Sequence, residues 1–199
     1  TIIVRQERVG LHMADAVSRL SSGDDIGVFV MQHGPGAENA FGGVAQAYSE
    51  SVPILVMPAG YTRRLAHYYP NFNSTLNMQH ITKWAEPIIM GKAAPEVLRR
   101  AFFQLRNGRP GPVMLEVPLD VMNEEVPDNW NYVPSFSAKS GPAPDDVASA
   151  AEALASAERP VIYAGQGVHY AKAWGELKAL AEAWNLSLIH ISEPTRHHV

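Results

Sequence analysis

Cysteine is absent from the 199 residues, which excludes disulfides and thiolate metal sites and says nothing of compartment. No apolar run approaches the ~20 residues that a membrane-spanning helix requires. A secretory leader is not expected either, because residues 1–20 carry several charges and no hydrophobic centre. Basic blocks are missing and the formal net charge is −4, so neither a membrane nor nucleic acid is expected as a partner. Internal repeats and low-complexity segments do not occur. What remains is an ordinary globular composition, 46% hydrophobic and 18% charged, long enough for one domain and part of another. The cytoplasm is the expected location.

Both ends read as cut. The chain opens without Met in the apolar run Thr1-Ile2-Ile3-Val4, expected as a strand already under way. Near the other end, Leu186-Ser187-Leu188-Ile189-His190-Ile191-Ser192-Glu193-Pro194-Thr195-Arg196 resembles the translation of a transposon-type sequencing adapter, with eleven residues in register. Residues 186–199, with their histidines, are therefore set aside from functional reasoning.

The most informative stretch is Met31-Gln32-His33-Gly34-Pro35-Gly36-Ala37-Glu38-Asn39-Ala40. Residues 26–30 before it are apolar and β-branched, as in a fully buried strand, and the strand is expected over 26–31. After it Ala37, Ala40, Phe41, Val44, Ala45 and Tyr48 recur at the spacing of one helix face. The glycines and proline lie where the chain must turn off the sheet. Strand, turn and helix start bring backbone N–H groups and the positive end of a helix dipole to the carboxyl edge of a sheet. Many α/β proteins use such a turn for structure alone, so the motif by itself leaves both readings open.

Around it the chain reads as alternating elements. Residues 1–4 are expected as a strand. A helix follows, with Val9, Met13, Ala16, Val17 and Leu20 on its inner face, ending near Ser21-Ser22-Gly23. Residues 52–57 form a further strand. The resulting β-α-β-α-β order predicts a parallel sheet flanked by helices, an α/β fold. Residues 61–80 form a long polar-aromatic loop at the carboxyl edge, a kind of loop more often functional than idle. Strands at 83–90 and 112–117 flank a helix at 95–105 with proline in its first turn. Periodicity then disappears through a proline-rich linker. A second, Rossmann-like α/β unit begins with a helix at 145–157, a strand at 160–164, the turn Gly165-Gln166-Gly167 and a helix at 171–184. That turn lacks the third glycine of a dinucleotide-binding fingerprint at the required spacing.

Glu7 is expected at the carboxyl end of the first strand, beside the Gly34-Pro35-Gly36 turn. A carboxylate flanked by apolar sheet there is placed for acid–base work. The competing reading is a surface acid paired with Arg5 or Arg8.

Several motifs in order carry a resemblance: Val4-Arg5-Gln6-Glu7, Gly34-Pro35-Gly36-Ala37-Glu38-Asn39, Ser51-Val52-Pro53-Ile54-Leu55, His80-Ile81-Thr82-Lys83, Gly108-Arg109-Pro110-Gly111-Pro112-Val113 and Val117-Pro118-Leu119-Asp120. Together they resemble the pyrimidine-binding domain of thiamine-diphosphate enzymes of the acetolactate synthase, pyruvate oxidase and benzoylformate decarboxylase group. The resemblance implies that residues 1–120 are that domain without its N-terminal part. It makes 121–143 a linker and 144–185 the start of a central domain. It implies a 2-oxo acid decarboxylase or carboligase.

By position, Glu7 matches the catalytic glutamate that hydrogen-bonds the pyrimidine ring of thiamine diphosphate and shares a proton with it, the step that activates the cofactor. Gly34, Pro35, Gly36 and Asn39 match the turn that packs against that ring. His33 lies where relatives place substrate-facing residues. Phe72 and Asn73 stand in for the Phe-Gln pair of acetolactate synthases, with shorter spacing to His80. Gln6 and Arg8 depart from the His and Gln that usually flank the glutamate, which leaves cofactor binding intact and puts acetolactate synthesis itself in question. Arg63, Tyr68 and Tyr69 shape an acceptor pocket or merely pack the loop. No metal ligand is expected in this chain. The resemblance places Mg2+ and the diphosphate in a third domain supplied by a partner subunit, in a homodimer or tetramer. FAD in the central domain is a further expectation that some relatives raise. The competing function is a non-catalytic relative that serves as an oligomerisation partner.

Overall fold

A strand with apolar side chains on both sides needs cover on both faces of its sheet, and residues 54–57 and 113–117 are of this kind. The computed structural model describes residues 1–66, 68–138 and 140–186, divided into two units, Thr1–Lys139 and Ser140–Val199. In the first, β1 (Gly27–Met31), β2 (Ile54–Gly60), β3 (Trp84–Pro87) and β4 (Val113–Pro118) form one parallel sheet in the order β1-β2-β4-β3. On one face, α1 (Glu7–Leu20) and α2 (Pro35–Ser49) enclose Leu11, Phe29, Val44, Ile54, Val56 and Met114. On the other, α4 (Ala94–Arg106) covers Leu55, Val113 and Leu115 with Val97, Ala101 and Leu105. Successive residues of β2 and β4 thus enter opposite cores, as the two-residue period of a strand requires.

Three expectations fail here. Residues 1–4 form no strand: among the described residues β1 has only β2 beside it, and 1–3 find no ladder; Val4 packs on the core edge instead. The inner face of α1 is Gly10, Leu11, Ala14, Asp15 and Ser18 rather than the Val9, Met13, Val17 stripe, which is exposed. Small residues face inward because α1 lies unusually close to β1. A Cβ on Gly27 would fall 2.0 Å from the carbonyl oxygen of Ala14, and the buried Ser18 hydroxyl accepts the Gly27 N–H at 2.7 Å. Finally, β1 is not buried on both sides. Phe29 and Met31 point into the core, while Val28 and Val30 are 50% and 64% exposed. The α4 core gathers residues of β2 and β4 and none of β1.

The remaining elements of this unit are close to expectation. Residues 61–80 contain a 3-10 turn, Arg63–Leu65, and a short helix, α3 (Ser74–Met78). Lys83, part of a quoted motif, donates to the carbonyl oxygens of Gln104 and Asn107 where α4 ends; partial burial holds its pKa below the ordinary lysine range. Arg109 donates to the Ser51 hydroxyl at 2.8 Å. After a further 3-10 turn, Val121–Asn123, the linker is irregular as far as Ala143 among its described residues.

The second unit is helical among its described residues: α5 (Pro144–Ser156), α6 (Gln166–Tyr170) and α7 (Trp174–Ala183). The strand expected at 160–164 is absent, and Val161 and Tyr163 are exposed; a lone strand without a neighbour has nothing to bond its backbone. The helix expected at 171–184 begins only at Trp174, because Lys172 adopts φ 54°. Of the tail set aside above, 187–199 lie outside the described residues.

Replacing Gly27 by Ala should force α1 off β1. A loss of about 3 kcal/mol, the upper end for an overpacked core, is expected in urea denaturation, with α1 amides exchanging faster than those of α4.

Candidate functional site

Helix α1 runs toward the amino edge of the sheet, so its N-terminus stands at the carboxyl edge. Glu7 is therefore the first residue of α1 and not the end of a strand, a correction of the local geometry. A carboxylate in a first helical turn meets the positive end of the helix dipole. Helix α2 starts from the same edge, directly after β1. Gly34 precedes it at φ 57° with Pro35 as the first helical residue, and the Glu38 N–H returns to the Gly34 carbonyl at 2.9 Å. The first N–H groups of each helix have no partner within it, so two sets of such donors share this edge.

Glu7, Gly36 and Asn39 come together. The Asn39 amide donates to Glu7 Oε2 at 3.3 Å. A Cβ on Gly36 would lie 3.5 Å from Glu7 Oε1 and only 2.9 Å from Gln32 Cβ, so a side chain here would crowd the turn and fill the approach to the carboxylate. Glu7 Oε1 has no hydrogen-bond partner among the described residues. A cavity of about 140 Å³ opens beside the group, lined by Gln6, Glu7, Arg8 and Asn39. It is a small polar site that offers a carboxylate with one oxygen free of protein partners and the amide of Asn39. Arg5 and Arg8 form no ion pair with Glu7 among the described residues.

His33 lies edge-on to Tyr61, ring centroids 4.6 Å apart at 66°. Tyr61 is the residue that sequence reasoning missed. Its position one step past β2 on the carboxyl edge was the available signal. No hydrogen bond joins Phe72 or Asn73 to the Glu7 group among the described residues. Phe72 packs against the core, and the Asn73 side chain caps α3, accepting the Leu76 N–H at 2.8 Å. Arg63 is taken up in bonds: it pairs with Asp120 at 2.7 Å and Glu124 at 2.6 Å and donates to the Ile89 carbonyl. Tyr68 and Tyr69 are exposed. Glu116, 7% exposed, accepts the N–H and hydroxyl of Thr75, both at 3.1 Å. Among the described residues no cluster of three His, Asp or Glu side chains is placed to hold a metal ion.

Comparison with known proteins gives two matched regions. Residues 1–85 match the thiamine pyrophosphate enzyme N-terminal TPP binding domain, and residues 147–193 match the central domain of the same enzymes. The second match runs past Asn185 into the tail set aside above. The chain is 30% identical over 199 residues to the acetolactate synthase isozyme 3 large subunit of Escherichia coli K12, covering 94% of this chain and 34% of that protein. It is 31% identical over 193 residues to the glyoxylate carboligase of Escherichia coli O157:H7, covering 93% and 32%. The chain thus spans about a third of the length of the curated relatives it matches. Among solved structures, the benzoylformate decarboxylase of Polynucleobacter necessarius superposes with a TM-score of 0.77 at 24% identity, over 89% of this chain and 33% of that one. A likeness at that identity establishes the α/β fold.

One test of the loop anchorage needs no ligand. The Arg63 guanidinium, hydrogen-bonded to Asp120, holds that carboxyl below the usual aspartate range. A pKa lower in the folded than in the unfolded chain contributes stability above the unfolded value, roughly 3.9, that disappears as pH falls through the folded value. Asp120→Asn should therefore accelerate tryptic cleavage after Arg63 and Arg64 at neutral pH, while cleavage elsewhere in the sheet stays unchanged.

Proposed function

Because the chain belongs to the thiamine pyrophosphate enzymes through their N-terminal and central domains, we propose that it is part of a thiamine-diphosphate-dependent 2-oxo acid decarboxylase or carboligase of the acetolactate synthase kind. The observation that carries the proposal is the convergence of Glu7, Gly36 and Asn39 where two helices begin. In this reading Glu7 is the acid–base residue and Gly34, Pro35, Gly36 and Asn39 hold the cofactor's pyrimidine ring. Bound there, thiamine diphosphate supplies the carbon nucleophile that attacks a 2-oxo acid carbonyl.

The chain's own part is proton handling and orientation. Asn39 occupies Oε2 and so fixes the carboxylate plane, leaving Oε1 to hold or release a proton toward a ring nitrogen. The Gly34 turn sets the start of α2, and its bare backbone lets a flat ring approach. His33 faces the substrate. The reading assigns Mg2+ and the diphosphate group to a further domain, contributed by a second subunit of a homodimer or tetramer, and FAD to the remainder of the central domain. The site of this chain alone stays open to water, with Gln6, Arg8 and Asn39 exposed, consistent with a partner that covers it.

Glu7→Gln in the enzyme that carries this chain should lower kcat with pyruvate about a hundredfold to ten-thousandfold, the range for losing an acid–base group. Thiamine diphosphate should still bind. The isolated chain should release no carbon dioxide from pyruvate. Unchanged turnover in the Glu7→Gln enzyme would instead favour the non-catalytic partner domain.

A further inference from the structure

We propose that Tyr61, paired with His33, binds the carboxylate of the 2-oxo acid substrate and is a positioning residue for its carbonyl. The proposal rests on the thiamine-diphosphate reading above and adds the residues that hold the substrate's charged end.

The argument begins with topology. β1 and β2 are adjacent and parallel, with Met31 opposite Pro58. The chain therefore leaves both strands at the same edge, and His33 and Tyr61 emerge side by side. Their rings meet edge to face at 4.6 Å, an arrangement that restrains both. A Cβ on Gly34 would lie 2.9 Å from Tyr61 Oη but 3.7 Å from Cζ. The hydroxyl end of the ring, not its base, is thus the part lying over the turn. That places it two residues from Gly36, which faces the Glu7 carboxylate.

Both groups are half-buried, yet neither the Tyr61 hydroxyl nor the His33 ring has a hydrogen-bond partner among the described residues. Neither is among the buried side-chain atoms left without a partner, so both reach the surface, where a ligand can meet them. Two adjacent protic groups without a protein partner are suited to a common acceptor. A phenol and an imidazole each offer one donor, and a carboxylate has two oxygens to receive them. The start of α2, with its unpaired N–H groups, adds positive potential at the same place. A small 2-oxo acid would then have its carboxylate on Tyr61 and His33, with its carbonyl displaced along the turn toward the Gly36 and Glu7 end. Gly34 serves two ends at once: it takes the positive φ that the turn needs and leaves room for the tyrosine hydroxyl.

The test uses the full-length, thiamine-diphosphate-loaded enzyme with Tyr61→Phe and His33→Gln. Three quantities are read: cofactor affinity by tryptophan fluorescence, affinity for oxamate (an unreactive isostere of pyruvate) by calorimetry, and kcat and KM for pyruvate and glyoxylate. Tyr61→Phe keeps the ring and should leave cofactor affinity unchanged. It should weaken oxamate and raise KM roughly tenfold, as loss of one hydrogen bond to a charged group does, with a much smaller change in kcat. His33→Gln should shift the same two quantities in the same direction, and it carries the test if Tyr61→Phe does not fold. Oxamate affinity and KM unaltered in a folded variant that still binds cofactor would overturn the role of the pair. A wild-type enzyme that binds no thiamine diphosphate would overturn the underlying reading, and the inference with it.

Discussion

The contact of α1 with β1 is the constraint on which the site depends. Gly27 allows the Ala14 carbonyl to approach where any side chain would block it, and the Ser18 hydroxyl satisfies the Gly27 N–H that this approach buries. With the helix seated this deeply, Glu7 arrives within reach of Asn39 and Gly36 on α2. A hydrogen bond of 3.3 Å between two helix starts tolerates little displacement. Gly10, Ala14 and Ser18 line the inward face of α1 beside Leu11 for that reason, and the apolar residues Val9, Met13 and Val17 are left outside.

The long segment after β2 is held in a different way, by acids at and beyond the end of β4. Glu116 fastens Thr75 at the start of α3, and Asp120 and Glu124 fasten Arg63. Glu124 also accepts the Gly91 N–H at 2.6 Å. These bonds tie three crossings of the carboxyl edge to one another, so the edge that carries Glu7, His33 and Tyr61 is ordered by polar bonds above and by apolar packing below. Arg63, a residue whose type invites a functional role, is taken up in this anchorage.

Much of the site was legible before any coordinates. The Gly34-Pro35-Gly36 turn between a strand and a helix placed a candidate site at the carboxyl edge without deciding its use, and only the resemblance of the ordered motifs selected Glu7 and Asn39. Tyr61 was not legible, because one tyrosine at the head of a polar-aromatic loop looks like its neighbours Tyr68 and Tyr69. Only the level at which β1 and β2 end, set by the register of Met31 on Pro58, brings it against His33. Phe72, which the resemblance of motif assigns to the substrate, packs against the core here.

The sequence by itself determined the parallel α/β arrangement, because apolar periodicity and turn residues are local properties that each segment carries along its own length. It also determined the chemistry on offer: a carboxylate, a glycine-flanked turn and an amide. The tertiary structure alone decided which face of α1 is buried, that residues 1–4 and 160–164 are not strands, and that Glu7 begins a helix. Each of these depends on neighbours distant in sequence. A strand requires a partner edge, a helix face requires a surface to lie on, and the depth of α1 is fixed by a glycine thirteen residues beyond the carbonyl it admits.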